Sequence, residues 1–336
     1  MTQNTQRAAK KKLPGSIGSF LYGHKAIAAI AILYLVVMLF SFQADAGFFS
    51  AYSQTLIFKK ATVNIIVACG VTFAVMVHSI DLSIGGTLAL SGVLVITFMN
   101  GGMPTWLAIL LTLAIGTVIG IVNGFLIVHE KLEGFITTLG MGILLKGVAL
   151  QMTNAHPISA DISYNELADG YQMVFHLVKI PNMVVIMLLV VLAFSLILRY
   201  TQFGRNIYAI GGDYAVAEYA GIPVMRQKWL AFILSALLTS LAGIVNSSHL
   251  GAGNANYGDL TAMIVNCAVV VGGTSMAGGI GGIWQSAIGV LFFSVLEFSL
   301  NTMVSNAYVI QLVQGLVIVA ILYLDSYDNK RKRERV

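Results

Sequence analysis

Charged side chains are scarce in this sequence. Asp, Glu, Lys and Arg together make up 10% of the 336 residues, whereas hydrophobic residues make up 57%. Soluble globular domains carry roughly 25% charged residues. The composition therefore excludes an ordinary water-soluble protein and indicates a polytopic membrane protein. The net charge of +5 does not indicate nucleic-acid binding, because most basic residues stand in short clusters beside hydrophobic runs.

Cysteine and catalytic motifs are also nearly missing. The two cysteines, Cys69 and Cys267, both lie inside apolar runs, which favours helix packing over a disulfide or a metal pair. The sequence contains no G-x-x-x-x-G-K-[ST] motif and no recognisable catalytic constellation. We therefore expect that the chain is not an enzyme, holds no cofactor or metal, and does not hydrolyse ATP itself.

Long hydrophobic runs dominate the sequence. A helix needs about 20 mostly apolar residues to cross a bilayer, and helices satisfy their own backbone groups in lipid. The sequence predicts an all-α fold of about ten transmembrane helices, at 26–43, 61–77, 84–99, 105–128, 135–152, 182–199, 229–246, 261–275, 283–303 and 308–324.

Basic residues give the orientation, because cytoplasmic loops are enriched in Lys and Arg. With both termini cytoplasmic, 15 of the 19 basic residues fall on the cytoplasmic side, and the exceptions are Lys59, Lys60, Lys146 and Lys179. This predicts a cytoplasmic leader (1–25), a transmembrane domain (26–324) and a basic cytoplasmic tail (325–336). A cleaved signal peptide ending near residue 46 is the alternative at the start.

The membrane domain contains two longer polar segments, a cytoplasmic loop (200–228) and an outer loop (153–181). The outer loop carries His156, Asp161, Glu166 and Asp169. Their spacing matches no metal motif, so we expect a solvated loop.

Within the cytoplasmic loop, turn and cap residues predict a short helix over 214–220. Asp213 is a suitable N-cap, Gly221 a suitable C′ residue, and Pro223 prevents continuation. We expect Gly211-Gly212 to form the turn that enters this helix. Its small and aromatic side chains suit contact with a partner, although a plain connecting loop is the alternative.

The residues TQFGRNIYAIGGDYAVAEYAGI (201–222) resemble the cytoplasmic loop of ribose-type ABC permeases, the membrane subunits of binding-protein-dependent importers of ribose and related sugars. Further blocks resemble the same family, in order: HSIDLSIGGTLALSG (78–92), IVNGFLI (121–127), GFITTLGMGILLKGVAL (134–150), AVVVGGTSMAGGIGG (268–282) and GLVIVAILYLDS (315–326). Each block alone is moderately specific, and their order makes the resemblance strong.

The resemblance implies that loop 200–228 holds a coupling helix that docks on a cytoplasmic ABC ATPase subunit, which binds the ATP and Mg. The implied partners also include a second permease copy or paralogue, an external sugar-binding protein and the lipid of a bacterial inner membrane. The implied coupling residues are Gly204, Arg205, Tyr208, Gly211, Gly212, Asp213, Glu218 and Gly221.

The chain departs from the family pattern at several membrane positions. His78 stands where Gly is common, Lys146 where Arg is usual, and Glu297 where Asn is common; Ala262 and Ile264 replace an acidic pair. These departures leave the substrate open and raise the alternative of a heterodimer.

Polar residues stranded in apolar spans are the candidates for a substrate pathway. They are Asn64, Asp81, Asn123, Thr137, Thr138, Lys146, Asn266, Glu297 and Asn301. Interhelical hydrogen bonding is the alternative role for each of them. Lys146 would be a candidate to neutralise Glu297.

Asp81 lies between two apolar segments. It is interpreted as a cap for a helix beginning near Leu82, with its charge near the membrane surface, or as a functional carboxylate deep in the membrane. Alternatively, 61–99 is one broken helix pair whose turn reaches into the membrane. Several glycines are expected at close helix contacts (Gly85, Gly86, Gly92, Gly116, Gly120 and Gly124), and the Gly-rich run near 272–282 is expected to form a tight inner turn.

The sequence thus indicates a permease subunit of an ABC importer for a monosaccharide. An ion-coupled secondary transporter that uses Asp81 and Glu297 is the alternative, and a membrane enzyme acting on lipids is a third hypothesis.

Overall fold

The computed structural model describes residues 48–174, 178–303, 306 and 308–319. The leader 1–25, the span 26–43, the end of the span 308–324 and the tail 325–336 lie outside the described residues, as does the signal-peptide alternative.

Helices dominate the described chain. They are α1 (Ala51–Met76), α2 (Ile84–Asn100), α3 (Thr105–Val128), α4 (Gly134–Thr153), α5 (Ile162–Asp169), α6 (Asn182–Tyr200), α7 (Gln202–Gly212), α8 (Tyr214–Tyr219), α9 (Val224–Leu250), α10 (Thr261–Val271), α11 (Ile283–Met303) and α12 (Tyr308–Val319). Four short strands interrupt the all-α prediction: β1 (Ile158–Ser159), β2 (Tyr171–Val174), β3 (Val178–Pro181) and β4 (Ala252–Gly253). β1 pairs with β4, and β2 pairs with β3.

Six of the described helices are long and apolar enough to cross a bilayer, namely α1, α3, α4, α6, α9 and α11. The predicted span 261–275 is wrong as a full crossing. Its helix, α10, has 11 residues, and at ~1.5 Å per residue it covers about 16 Å, roughly half of the hydrocarbon core. The turn at Gly272-Gly273 ends this helix.

Helix α1 begins ten residues earlier than the predicted start at residue 61. Lys59 and Lys60 lie in the part of the helix that precedes the predicted start, and each lysine has a carboxylate partner. Lys59 Nζ lies 2.6 Å from Asp169 Oδ1, and Lys60 Nζ lies 2.9 Å from Glu297 Oε1. Paired lysines can therefore continue the helix into the outer layer.

Helices α1 and α9 form the centre of the bundle, since 72% of the apolar window of each is buried. Close packing around them depends on glycine. A Cβ at Gly120 would lie 2.7 Å from the Cα of Ile233, and a Cβ at Gly92 would lie 3.3 Å from the Gly243 oxygen. These contacts join α3 and α2 to α9, which confirms the prediction that such glycines serve helix packing.

Helices α1 and α2 form a broken pair, as one alternative predicted. Helix α2 has 17 residues against 26 in α1, so it is shorter by about 13 Å. The start of α2 meets the segment before α10, where a Cβ at Gly85 would lie 2.7 Å from the Gly258 oxygen. Residues 77–83, which we call the break, connect the end of α1 to the start of α2.

The outer segment 153–181 is packed, so the expectation of a solvated loop is wrong for its helix. Tyr164 on α5 is 2% exposed, and its hydroxyl donates to the Ile244 oxygen at 2.9 Å on α9. Asp169 Oδ1 accepts from Lys59 and from His249 Nδ1, at 2.6 and 2.9 Å. Burial raises the pKa of the Asp169 carboxyl, but the hydrogen bonds from Lys59 and His249 outweigh it, so that this pKa lies below its usual range.

We predict that Gly120→Ala destabilises the bundle by about 1–3 kcal/mol, because the added methyl group would force α3 away from α9. Gly147→Ala is the matched control, since nothing lies within 4 Å of a Cβ there. Because Ala favours a helix interior more than Gly does, this change should leave the free energy of unfolding unchanged or raise it by up to about 1 kcal/mol. Denaturant titration in mixed micelles measures both. Equal stability of the two variants would contradict the tight α3–α9 contact.

Candidate functional site

The break is held by a buried carboxylate. Asp81 is 0% exposed. Its Oδ1 accepts from the Ser83 amide at 2.9 Å and from Ser83 Oγ at 2.6 Å, while its Oδ2 accepts from Ser235 Oγ at 2.7 Å on α9. Because the carboxylate lies just before the first turn of α2, the positive end of that helix also stabilises a negative charge there.

This arrangement corrects the interpretation of Asp81 as a surface cap. Ser83 occupies the N-cap position of α2, without a side-chain cap bond, and Asp81 bonds the Ser83 amide ahead of the helix. The carboxylate is buried in the bundle instead of lying at its surface, and the second interpretation, a functional carboxylate deep in the membrane, stays a prediction.

Three more of the predicted polar residues converge on the break. Thr138 Oγ1 accepts from the Leu82 amide at 3.0 Å, Asn266 Nδ2 donates to the Asp81 carbonyl at 3.0 Å, and Asn123 Nδ2 donates to Ser83 Oγ at 2.9 Å. These side chains come from α4, α10 and α3. They satisfy backbone and hydroxyl groups that have no helical partner, as a buried irregular segment requires.

A cavity of about 630 Å³ lies beside the break. Its walls come from the break, the start of α2, α4, α10 and the segment before α10. Most lining side chains are apolar, and the polar ones among the described lining residues are Lys146, Asp259 and Asn266. A concave, largely apolar site with a few polar groups is the usual form of a binding site for a small molecule.

Lys146 and Glu297 do not meet, so the suggested pairing of these two residues is wrong. Lys146 Nζ lies 2.6 Å from Asp259 Oδ1 at the cavity, and Glu297 pairs with Lys60. Asn301 donates to the Glu297 carbonyl at 2.8 Å on α11, and Asn64 is half-buried on α1. Glu297, Asn301 and Asn64 are not among the residues that line the cavity.

Both predicted cap residues occupy the ends of the short helix α8. Asp213 Oδ1 accepts from the Val216 amide at 3.0 Å at its start. At its end, the Gly221 amide donates to the Glu218 carbonyl at 2.9 Å and the Ile222 amide donates to the Ala217 carbonyl at 3.1 Å. This is a Schellman ending, and it places Gly221 at φ +80°, in the region that favours glycine.

The prediction that Gly211-Gly212 forms a turn is wrong, because both residues end α7. Gly211 is buried, and the backbones of Met76 and Gly279 lie so close to it that a Cβ would overlap them. The Gly279 amide donates to the Met76 carbonyl at 3.3 Å. The Gly-rich turn (residues 272–282) therefore joins α7 to the end of α1, where the break starts.

Tyr208 makes a second contact between α7 and the Gly-rich turn. Its hydroxyl donates to the Gly281 carbonyl at 2.8 Å. Partial burial raises the pKa of the Tyr208 phenol, so the hydroxyl keeps its proton at neutral pH. At the start of the break, His78 has φ 59° and its ring lies against Gly278, so this histidine adopts a backbone conformation that favours glycine.

The outward face of α7 and α8 is exposed. Tyr214, Val216 and Tyr219 on α8 are 48%, 63% and 93% exposed, and Arg205 and Glu218 are exposed as well. Ala217 holds the opposite face of α8 in the protein at 3% exposure. We call this exposed set, with Gly212 at the end of α7 and Asp213 between the two helices, the docking face. Aromatic side chains at such positions suit insertion into a partner.

Sequence reasoning missed several residues of the site. Ser83, Ser235 and Asp259 gave no local signal, because a serine in an apolar helix or an acid in a polar loop is common. Their partners lie 2, 154 and 113 positions away along the chain, and the two longer pairings depend on the fold.

The family model described as "Branched-chain amino acid transport system / permease component" matches residues 53–322. The chain is 33% identical over 321 residues to the ribose import permease protein RbsC of Haemophilus influenzae, covering 94% of this chain and 97% of that protein. It is 30% identical over 334 residues to the galactose/methyl galactoside import permease protein MglC of Escherichia coli K12, covering 94% and 98%. No solved structure is a significant match for this chain.

We predict that Ser235→Ala costs about 1.5–3 kcal/mol, because Asp81 loses one donor to a buried carboxylate. Ser294→Ala is the control: Ser294 is also buried, but its hydroxyl donates within its own helix, to the Val290 carbonyl, and the change should cost less than about 0.5 kcal/mol. Unfolding in mixed micelles distinguishes the two. A Ser235 variant as stable as the control would show that the bond to Asp81 is not needed.

Proposed function

Because this chain belongs to the permease family of ABC importers that includes the ribose permeases, we propose that it moves a monosaccharide or a related small polar solute inward. The energy comes from ATP that separate subunits bind with Mg and hydrolyse. The chain is a multi-pass membrane protein, and we place it in a bacterial inner membrane, in keeping with its relatives.

The observation that carries this proposal is the docking face and its connection to the break. The face exposes aromatic residues on α8, and α7 contacts the Gly-rich turn and the end of α1 through Gly211 and Tyr208. A partner that pulls on α8 would therefore act on the segment that borders the cavity. Packed interfaces of this kind switch between discrete arrangements rather than deforming continuously.

Alternating access follows from this connection. The ATPase subunits bind α8 and close when they bind ATP, and the break moves with α7, so that the cavity opens in turn to either side. ATP and the external sugar-binding protein must each bind one state better than the other, since a ligand without such a preference shifts no equilibrium. Two permease chains, identical or paralogous, would form the complete pathway.

The proposed substrate class is inferred from the names of the relatives. The family description names branched-chain amino acids, whereas the relatives named above are permeases for ribose and for galactose or methyl galactoside. Relatives covering most of this chain are sugar permeases, so a monosaccharide is the proposed substrate.

The ion-coupled alternative needs a free membrane carboxylate at the pathway. Asp81 accepts three hydrogen bonds from protein groups, and Glu297 pairs with Lys60 away from the cavity lining. The two acids do not share a site among the described residues, so nothing in the geometry favours this alternative.

Reconstitution tests the proposal directly. The chain is placed in proteoliposomes with its ATPase subunits and its binding protein, and uptake of labelled ribose, galactose and allose is measured. Uptake that requires both ATP and the ATPase is expected. Full-speed uptake by the chain alone would overturn the proposal.

We predict that Tyr219→Ala weakens binding of the ATPase subunit at least about tenfold, because an exposed aromatic residue at the centre of an interface contributes about 2 kcal/mol or more. Tyr52→Ala is the matched control, since Tyr52 is 73% exposed at the outer end of α1. Titration of ATPase into permease nanodiscs measures both affinities. Equal affinities in the two variants would exclude docking through α8.

A further inference from the structure

The charges at the cavity cancel each other. Lys146 and Asp259 are the charged side chains among its described lining residues, and their Nζ and Oδ1 atoms are 2.6 Å apart. They come from different walls, α4 and the segment before α10. Both side chains remain partly accessible, at 34% and 51%, so a solute in the cavity can reach the pair.

Asn266 supplies an unused acceptor at the same cavity. Its Nδ2 donates to the carbonyls of Asp81 and Ala262, at 3.0 and 2.8 Å. Its Oδ1 is buried and has no partner within the described part of the chain. A buried acceptor without a donor costs free energy, so this oxygen favours a substrate-bound state in which an O–H group reaches it.

We infer that the Lys146–Asp259 pair is a charge filter, which makes this cavity select neutral solutes that carry hydroxyl groups. The inference rests on the proposed function and names the property by which this site selects a substrate, which is the absence of a net charge. Asn266 Oδ1 accepts a hydroxyl, and the ion pair offers one donor and one acceptor to others. A sugar acid or an amino sugar finds no unpaired opposite charge, so its own charge is desolvated against apolar walls.

The native Cys267 provides a probe that needs no known substrate. It lines the cavity and is partly exposed, whereas Cys69 is buried. The full chain in lipid nanodiscs is treated with neutral, anionic and cationic methanethiosulfonate reagents. Each rate is divided by the rate of the same reagent with a free thiol, and Cys267→Ser gives the background.

The filter predicts opposite changes for the two halves of the pair. Asp259→Asn leaves Lys146 unpaired and should raise the ratio of anionic to cationic reaction at least about tenfold, and Lys146→Met should lower it by a similar factor. The exchange Lys146→Asp with Asp259→Lys should restore the ratio. Glu297→Gln, which breaks the ion pair outside the cavity lining, should leave it unchanged.

Protection of Cys267 tests the hydroxyl part of the inference. D-ribose, D-galactose or D-allose should slow the neutral reagent, whereas D-glucuronate and D-glucosamine should not at equal concentration. In Asn266→Leu the sugar concentration for half-protection should rise at least about fivefold.

Three results would overturn the inference: a ratio that is the same in all pair variants, protection by charged sugars equal to that by neutral ones, or no reaction of Cys267 with the neutral reagent. Each measurement uses the chain without ATPase. A missing charge filter is therefore distinguishable from a failure of ATP-driven uptake.

Discussion

The structure depends on satisfying an irregular stretch of backbone inside a membrane bundle. Residues 77–83 lie between two helices and must find hydrogen-bond partners in the protein. Asp81, Thr138 and Asn266 supply these partners. The Asp81 carboxylate accepts from Ser83 and Ser235 at 2.6 to 2.9 Å. Thr138 accepts from the Leu82 amide and Asn266 donates to the Asp81 carbonyl, both at 3.0 Å. These three residues, predicted as part of a polar pathway, thus hold the break in place beside the cavity.

The second constraint is the contact between the inner end of the bundle and this wall. Gly211 fits against the backbones of Met76 and Gly279, and Tyr208 bonds the Gly281 carbonyl. Because close backbone packing leaves little compliance, the proposed coupling would carry a displacement of α7 to the end of α1 and the start of the break. In that proposal a helix of six residues, α8, influences a cavity that it does not line.

Contacts between residues close in sequence made part of the structure predictable. Asp213 and Gly221 define α8 through neighbouring backbone groups, so a cap and a turn residue were enough. The start of α1 was missed because Lys59 and Lys60 are neutralised by Asp169 and Glu297, which are more than 100 positions away. Pairings such as Ser235 with Asp81 also form only in the folded bundle. The predicted turn at Gly211-Gly212 failed because both residues continue α7 to its end, where Gly211 packs closely against the backbones of Met76 and Gly279.

The central claim is that motion of the docking face reaches the cavity through α7 and the Gly-rich turn. The most direct test is the ratio of solute transported to ATP hydrolysed in Tyr208→Phe, which removes the hydroxyl that donates to Gly281 and leaves the exposed residues of α8 unchanged. A hydrogen bond of this kind contributes about 0.5–1.5 kcal/mol, so the ratio should fall about threefold or more while the ATPase still binds and hydrolyses ATP. A ratio equal to that of the unmodified chain would contradict the account.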